Sequence, residues 1–252
     1  VLVLGGRSDI GEFFCARLNA AGIAAVCISR FPEKSRVFPK TVTLHPDFLQ
    51  RNRVANNLKI KAIVSLCPIW ELPSYASALQ APAGHLTPWI IFSSTSMLTH
   101  QAPALGGRTG VSARLKEGED WVAAFRRGAK ASTHLVRPTL VYGGRLNKNI
   151  NSIKKIGELF LVELNLPFGK GLRNPIHADD MGEWCAGLVW KIWVSSDSGE
   201  GLEVVVTQGG EVLAFNALVK RAARASGVGL FSAHPGRRLV KLGLLIGAFV
   251  PA

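Results

Sequence analysis

The sequence predicts an α/β chain built on a doubly wound parallel sheet, and three observations lead there. Apolar runs of strand length recur at 1–4, 23–29, 41–44, 62–66, 89–92 and 133–136, with helix-spaced stretches among them. The first run breaks into a glycine turn that opens straight into a helical pattern. Hydrophobic residues make up 48% of the 252, enough to cover both faces of such a sheet without disulfides or a structural metal.

Each element follows from local pattern. Val1-Leu2-Val3-Leu4 is a buried-strand run that ends in Gly5-Gly6-Arg7-Ser8-Asp9-Ile10-Gly11. Residues 12–21 then place Phe13, Phe14 and Leu18 at helical spacing and stop at Gly22. Strand 23–29 ends at Arg30, and strand 41–44 ends at His45-Pro46-Asp47. A helix is predicted over 54–58, strands over 62–66 and 89–92, a helix over 111–127 and a strand over 133–136. After Arg137-Pro138 the alternation loosens. Residues 147–162 read as helix, 166–176 as loop, 179–193 as helix, 202–207 as strand and 212–225 as a last helix.

Composition narrows the function classes. Lys+Arg 30 against Asp+Glu 17 gives a formal charge of +13, although charged residues total only 19%. Such a balance suits anionic partners. Nucleic acid is disfavoured, because aromatics are 8% and the cations are scattered in pairs rather than interleaved with stacking rings. Cys15, Cys27, Cys67 and Cys185 lie far apart without a Cys-x-x-Cys pair, which speaks for reduced thiols, a cytoplasmic location and no metal site. No apolar run approaches the roughly 20 residues of a membrane span, and no basic leader precedes the first strand. Residues 212–252 hold several cations, and this segment leaves peripheral contact with an anionic membrane surface open. The chain starts without an initiator Met, so its natural start is expected upstream; the apolar stretch 239–250 reads as an unfinished helix.

The glycine turn carries the first chemical reading. Glycine at a strand–helix junction lets backbone N–H groups and the helix N-terminus approach a pyrophosphate. Gly5 and Gly11 take the outer places of a G-x-x-G-x-x-G spacing, with Gly6, Arg7, Ser8 and Ile10 inside it. An acid at the end of the second strand would accept the ribose hydroxyls of NAD, whereas a cation accommodates a 2′-phosphate. That place is Arg30, and Arg7 can join it, so NADP is preferred and NAD is the lesser expectation. Asp47 beyond the third strand suits the adenine amino group or its own turn.

Several motifs then fall in series: Gly5 to Gly11, Asp47, Phe92-Ser93-Ser94-Thr95-Ser96, Arg137-Pro138-Thr139-Leu140-Val141-Tyr142-Gly143, and Pro175-Ile176-His177-Ala178-Asp179-Asp180. In order and interval they resemble the extended short-chain dehydrogenases/reductases, the nucleoside-diphosphate-sugar epimerase/dehydratase family. The likeness runs from residue 1 to about 226. It implies a Rossmann-type dinucleotide-binding domain over 1–146, with Ser93 also near the cofactor. A mixed segment over 147–252 would return to the sheet and form a smaller C-terminal substrate part, cut short at its end. The implied substrate is a nucleotide-linked sugar, with Lys170, Arg173 and His177 on its side, and a homodimer is compatible with the family.

That family pairs a Ser/Thr after the fifth strand with Tyr-x-x-x-Lys on the next helix. Tyr moves the proton, Lys lowers its pKa and the hydroxyl steadies the carbonyl. Thr95 falls at the hydroxyl place. The Tyr is missing. Setting Lys116 on the family Lys puts Ser112 at the Tyr place, whereas setting Glu119 on the family's later Glu puts Val111 and Leu115 there. Both registers stay open at this point. A substrate-bound water, His100 or Lys116 is left to supply the proton; the other reading is an NADP(H)-binding sensor or assembly subunit without turnover. His177, Asp179 and Asp180 do not read as a metal cluster, because Asp179 suits a helix N-cap.

Overall fold

The computed structural model describes residues 1–52, 59–75, 79, 86–99, 109–144, 162–164, 171–194, 199–224 and 231–233. The predicted helices 54–58 and 147–162, with His100 and Lys170, therefore lie outside the described residues, apart from Val162.

The described strands and helices follow in order: β1 (Leu2–Leu4), α1 (Asp9–Ala20), β2 (Ala25–Ile28), β3 (Thr41–Leu44), α2 (Asp47–Asn52), β4 (Ile63–Ser65), β5 (Trp89–Phe92), α3 (Ser96–Thr99), α4 (Thr109–Phe125), β6 (Ser132–Pro138), β7 (Leu140–Tyr142), β8 (Val162–Leu164), β9 (Leu172–Arg173), β10 (Pro175–His177), α5 (Ala178–Val194), β11 (Gly201–Thr207), β12 (Leu213–Ala214), α6 (Phe215–Arg224) and β13 (Phe231–Ala233). Seven strands form one parallel sheet in the order β11-β6-β5-β4-β1-β2-β3. The strand order reverses next to β1, as a doubly wound sheet requires.

The chain divides into two compact units, Val1–Pro138 with His177–Thr207, and Thr139–Ile176 with Gln208–Ala252. In the first, every residue of β1, β4 and β5 is buried, because a parallel strand with layers on both faces must be apolar throughout. Leu2, Leu4, Ile63, Trp89, Ile91 and Leu135 form the core with Leu115 and Val122 of α4. On the other face α1 packs against α5, where Gly182 lets the backbones meet: a Cβ there would stand 2.8 Å from Phe14 N.

In the second unit β7 pairs with β10, β9 runs antiparallel to β12, and β8 runs parallel to β13. Leu213 and Leu218 gather Leu140, Tyr142 and Phe215 into a small core. Residues 166–176, expected as loop, thus contain β9 and the start of β10. Their pairing partners are distant in sequence, so local pattern gave no sign of them.

Two helix starts, those of α1 and α5, differ from expectation because of their caps. The first helix begins at Asp9 because Ser8, in extended conformation, accepts the Gly11 N–H on its Oγ at 3.1 Å. The predicted cap Asp179 is corrected. Helix α5 starts one residue before it, and His177 Nδ1 accepts the Asp179 N–H at 3.2 Å. The Asp179 carboxylate instead takes Arg17 of α1 at 2.7 Å.

Candidate dinucleotide site

The 5–11 turn sits at the carboxyl end of β1, at the sheet's switch point. Gly5 has φ +78°, and a Cβ would meet Cys67 N at 2.7 Å. At Gly6 a Cβ would meet Cys27 Sγ at 2.8 Å, and at Gly11 it would meet Gly6 O at 2.6 Å. All three places exclude side chains, so bare backbone faces the helix start. Ser8, where the family has its middle glycine, earns its place as the cap of α1. Ile10 is half-buried in the first turn.

Of the two cations expected beside the turn, Arg7 meets an exposed Phe31 and Arg30 does not. Arg7 lies over its ring at 5.4 Å and Lys34 at 5.1 Å. Arg7 Nε is buried and has no hydrogen-bond partner. Arg30 is 66% exposed and stands 3.9 Å from Glu71, too long to satisfy it. Arg36 lies over Phe38. Lys34 and Arg36 were missed in the sequence, although their spacing behind Arg30 was visible. Asp47 opens α2 and faces His45 Nδ1 at 3.4 Å. A glycine cradle and an orphaned guanidinium nitrogen fit the phosphates of a dinucleotide.

The Ser/Thr cluster follows β5. Thr95 donates its hydroxyl to Pro138 O at 3.1 Å, and its N–H goes to the same carbonyl. Ser94 Oγ accepts the Ser96 N–H at 3.1 Å. Ser93, expected near the cofactor, donates its hydroxyl to Glu119 Oε1 at 2.5 Å. Glu119 also takes the Arg137 guanidinium in a two-pronged pair and is only 7% exposed. The Glu119 carboxylate holds the Arg137 pKa above its ordinary value.

This buried knot orients α4. Leu115, four residues before Glu119, is 5% exposed and lies in the core, and Val111 packs against it. Lys116, expected at the catalytic lysine place, is turned outward and donates to Asp120 at 2.6 Å. Ser112, expected at the tyrosine place, is half-buried, and its hydroxyl reaches Met97 O at 3.4 Å. Arg114 lies over Trp70 at 4.2 Å. The tyrosines stand elsewhere: Tyr75 packs on the first core, where burial raises its pKa, and Tyr142 belongs to the second unit's core.

No family model matches this chain. No curated protein matches it in sequence. Solved structures match it in shape. MoeE5 in complex with UDP-glucose and NAD gives a TM-score of 0.66 at 19% identity, over 92% of this chain and 84% of that one. The UDP-glucose 4-epimerase of Thermotoga maritima gives 0.69 at 13%, over 94% and 86%. TunA, an NAD-dependent NDP-hexosamine 5,6-dehydratase, gives 0.68 at 15%, over 93% and 84%. At these identities the likeness is one of fold, a Rossmann-type doubly wound parallel sheet.

The residues expected on the substrate side stand in different surroundings. Arg173 is exposed, donates to Leu172 O at 2.8 Å and lies over Phe215 at 5.7 Å in the second unit. His177 is half-buried, caps α5 and lies 5.8 Å from the Phe13 ring. Among the described residues, no three His, Cys, Asp or Glu side chains gather in a way that could hold a metal ion, and no helix is long and apolar enough to cross a membrane.

Proposed function

We propose that this chain binds a nicotinamide dinucleotide on the 5–11 turn and uses it in oxidoreductase or epimerase chemistry on a nucleotide-linked sugar, with NADP(H) preferred over NAD(H). The observation that carries the reading is the partnerless, buried Arg7 Nε beside a glycine cradle, with Arg30 and Lys34 at hand. MoeE5 was solved with NAD. This chain has a cation where an NAD-selective site would hold an acid, and a guanidinium suits a 2′-phosphate. Gly5, Gly6, Ser8, Ile10 and Gly11 would face the pyrophosphate, Arg7 and Arg30 the ribose phosphate, Asp47 the adenine side and Ser93 the loop beyond β5. The bound dinucleotide supplies hydride exchange at its nicotinamide ring.

Thr95 is assigned to hold the reacting oxygen of the sugar, releasing its bond to Pro138 O to do so. Ser112 is the hydroxyl that remains on the inner part of α4. Lys116 drops out of the assignment, since it faces solvent and Asp120. Arg173 and Lys170 are kept for the anionic part of the substrate, and His177 for shaping that side.

The second reading, a dinucleotide-binding module without turnover, is favoured by one observation: in the Glu119 register the Tyr and Lys places are Val111 and Leu115, neither of which moves a proton. Calorimetry with NADPH and NADH tests the shared core of both readings. Arg7→Ala and Arg30→Ala should each weaken NADPH by roughly 10-fold or more, as loss of a charge-assisted hydrogen bond does. NADH binding should change little; equal losses reject the 2′-phosphate role, and no heat with either coenzyme on folded protein rejects the site. NADPH oxidation, followed by absorbance against a panel of nucleotide-linked keto-sugars, separates the enzyme from the silent module.

A further inference from the structure

We infer that Cys15 and Cys27 are a redox modification site: on exposure to hydrogen peroxide they close into a reversible disulfide beneath the glycine turn, and so weaken the dinucleotide site above them. The disulfide stands apart from the proposed function, whereas its effect on binding rests on that reading.

The two residues come from different elements. Cys15 lies on α1 one turn beyond Gly11, on the same helix face, and Cys27 lies on β2. Their Sγ atoms stand 3.3 Å apart in a mutual hydrogen bond, at 2% and 1% exposure. A disulfide needs about 2.05 Å between its sulfurs, so roughly 1.2 Å of approach closes the bond. The other two cysteines are placed differently. Cys67 meets the Ser65 hydroxyl at 3.3 Å, and Cys185 is buried on α5.

Burial alone would make such thiols inert. Here a cleft reaches them. Cys15 and Cys27 line it together with Gly6, Glu12, Arg36 and Phe38, between α1, strands β2 and β3 and the segment that joins those strands. The hydrogen bond from Cys15 and burial hold the Cys27 thiol pKa above its ordinary value, so Cys27 keeps its proton. Cys15 is the sulfur that reacts first. As a thiolate it attacks one peroxide oxygen, the O–O bond breaks, hydroxide leaves and a sulfenic acid forms. Cys27 sulfur then attacks the Cys15 sulfur, the S–O bond breaks, and the Cys27 proton leaves with that hydroxyl as water. Two thiols and one peroxide thus give one disulfide and two waters, with two electrons passing from sulfur to oxygen.

The turn has no slack to absorb the closure. A Cβ at Gly6 would stand 2.8 Å from both Cβ and Sγ of Cys27, and a Cβ at Gly11 would stand 2.6 Å from Gly6 O. Gly6 is therefore held between the strand that carries one sulfur and the helix that carries the other. Close-packed interiors transmit such displacements. Drawing α1 and β2 together shifts the backbone N–H groups that would face the pyrophosphate, and hydrogen bonds weaken steeply with misalignment.

Peptide mapping tests the site on the folded full chain, reduced, desalted, treated with millimolar hydrogen peroxide, quenched, and then denatured in N-ethylmaleimide to cap free thiols. Trypsin cutting after Arg7, Arg17 and Arg30 puts the two cysteines on separate peptides, 8–17 and 18–30. The disulfide should appear as these two peptides joined, and dithiothreitol should part them. Cys15→Ser and Cys27→Ser should each abolish the joined pair, and Cys27→Ser should leave a Cys15 sulfenic acid that dimedone traps. By calorimetry the oxidised chain should bind NADPH about tenfold or more weakly than the reduced chain, with dithiothreitol restoring the affinity. A map without the joined pair, or with Cys15 joined to Cys185 instead, overturns the disulfide. Equal NADPH affinity in the two forms overturns its effect on the turn. No NADPH binding by the reduced chain rejects the cofactor reading, and the peptide map then still decides the disulfide. The map of the unaltered chain keeps the test decisive if a serine variant fails to fold.

Discussion

Removing the Glu119 carboxylate should destabilise the first unit more than any single surface change. Glu119 receives three hydrogen bonds: from the Ser93 hydroxyl at 2.5 Å, and from Arg137 Nε and its terminal nitrogen at 3.0 and 2.5 Å. These ties join the end of β5, helix α4 and strand β6. The carboxylate is 7% exposed and the Arg137 side chain 18%, so water reaches the guanidinium in part but hardly reaches the carboxylate. Glu119→Ala leaves the half-buried Arg137 guanidinium without its partner and a hydroxyl unpaired, and should cost about 3 kcal/mol, the low end for breaking a buried pair, because water still reaches the guanidinium in part. Glu119→Gln keeps the shape but not the charge, and should lose about 1.5–3 kcal/mol, the scale of a hydrogen bond to a charged group. Replacing both partners, Glu119→Leu with Arg137→Met, should be far less harmful than the single alanine, because it removes the desolvated charges together. Urea unfolding followed by tryptophan fluorescence is a suitable assay, since all six tryptophans lie within the first unit. If Glu119→Ala costs less than about 1 kcal/mol, or the double variant is worse than the single, the knot is not what orients α4.

Gly182→Ala places a Cβ 2.8 Å from Phe13 Cβ and Phe14 N, where α5 meets α1; backbone on one side cannot yield, so a loss of about 1–3 kcal/mol is expected in thermal or urea unfolding. Stability should also fall at alkaline pH. Burial pushes the Cys67 thiol from 9.0 up to about 11, with Cys185 shifted the same way, so folding favours the protonated thiol. That stability is complete below pH 9 and is lost as pH rises through the folded value; for Cys67 alone the loss reaches about 1.4 kcal/mol by pH 10. Cys67→Ala should flatten this part of the profile, and an unchanged alkaline slope would show that the thiol is not its source.

Much of the sheet was legible because a buried parallel strand is apolar at every position. Strands β3 and β5 appear with the bounds that their runs suggested, and the others shift by a few residues at most. The glycine turn was legible for a related reason, since its glycines mark places where backbone touches backbone. Helix starts were less so. The serine at 8 and the histidine at 177 act through a single hydrogen bond each, and neither residue type announces by itself whether it will cap.

The local chain determined that there would be strands, a strand–turn–helix entry at Gly5, a cation at position 30 and no tyrosine on helix α4, because these are properties of neighbouring residues. Tertiary structure alone decided the register of that helix. The helix sequence carries the Val111–Leu115 and Ser112–Lys116 positions one residue apart, and the family spacing alone did not choose between them. The choice fell to Ser93 and Arg137, one 26 residues before Glu119 and the other 18 after it, which bury one carboxylate and thereby turn Leu115 inward and Lys116 to water. The same holds for β9 and β10, whose partners depend on which distant segments the fold brings alongside.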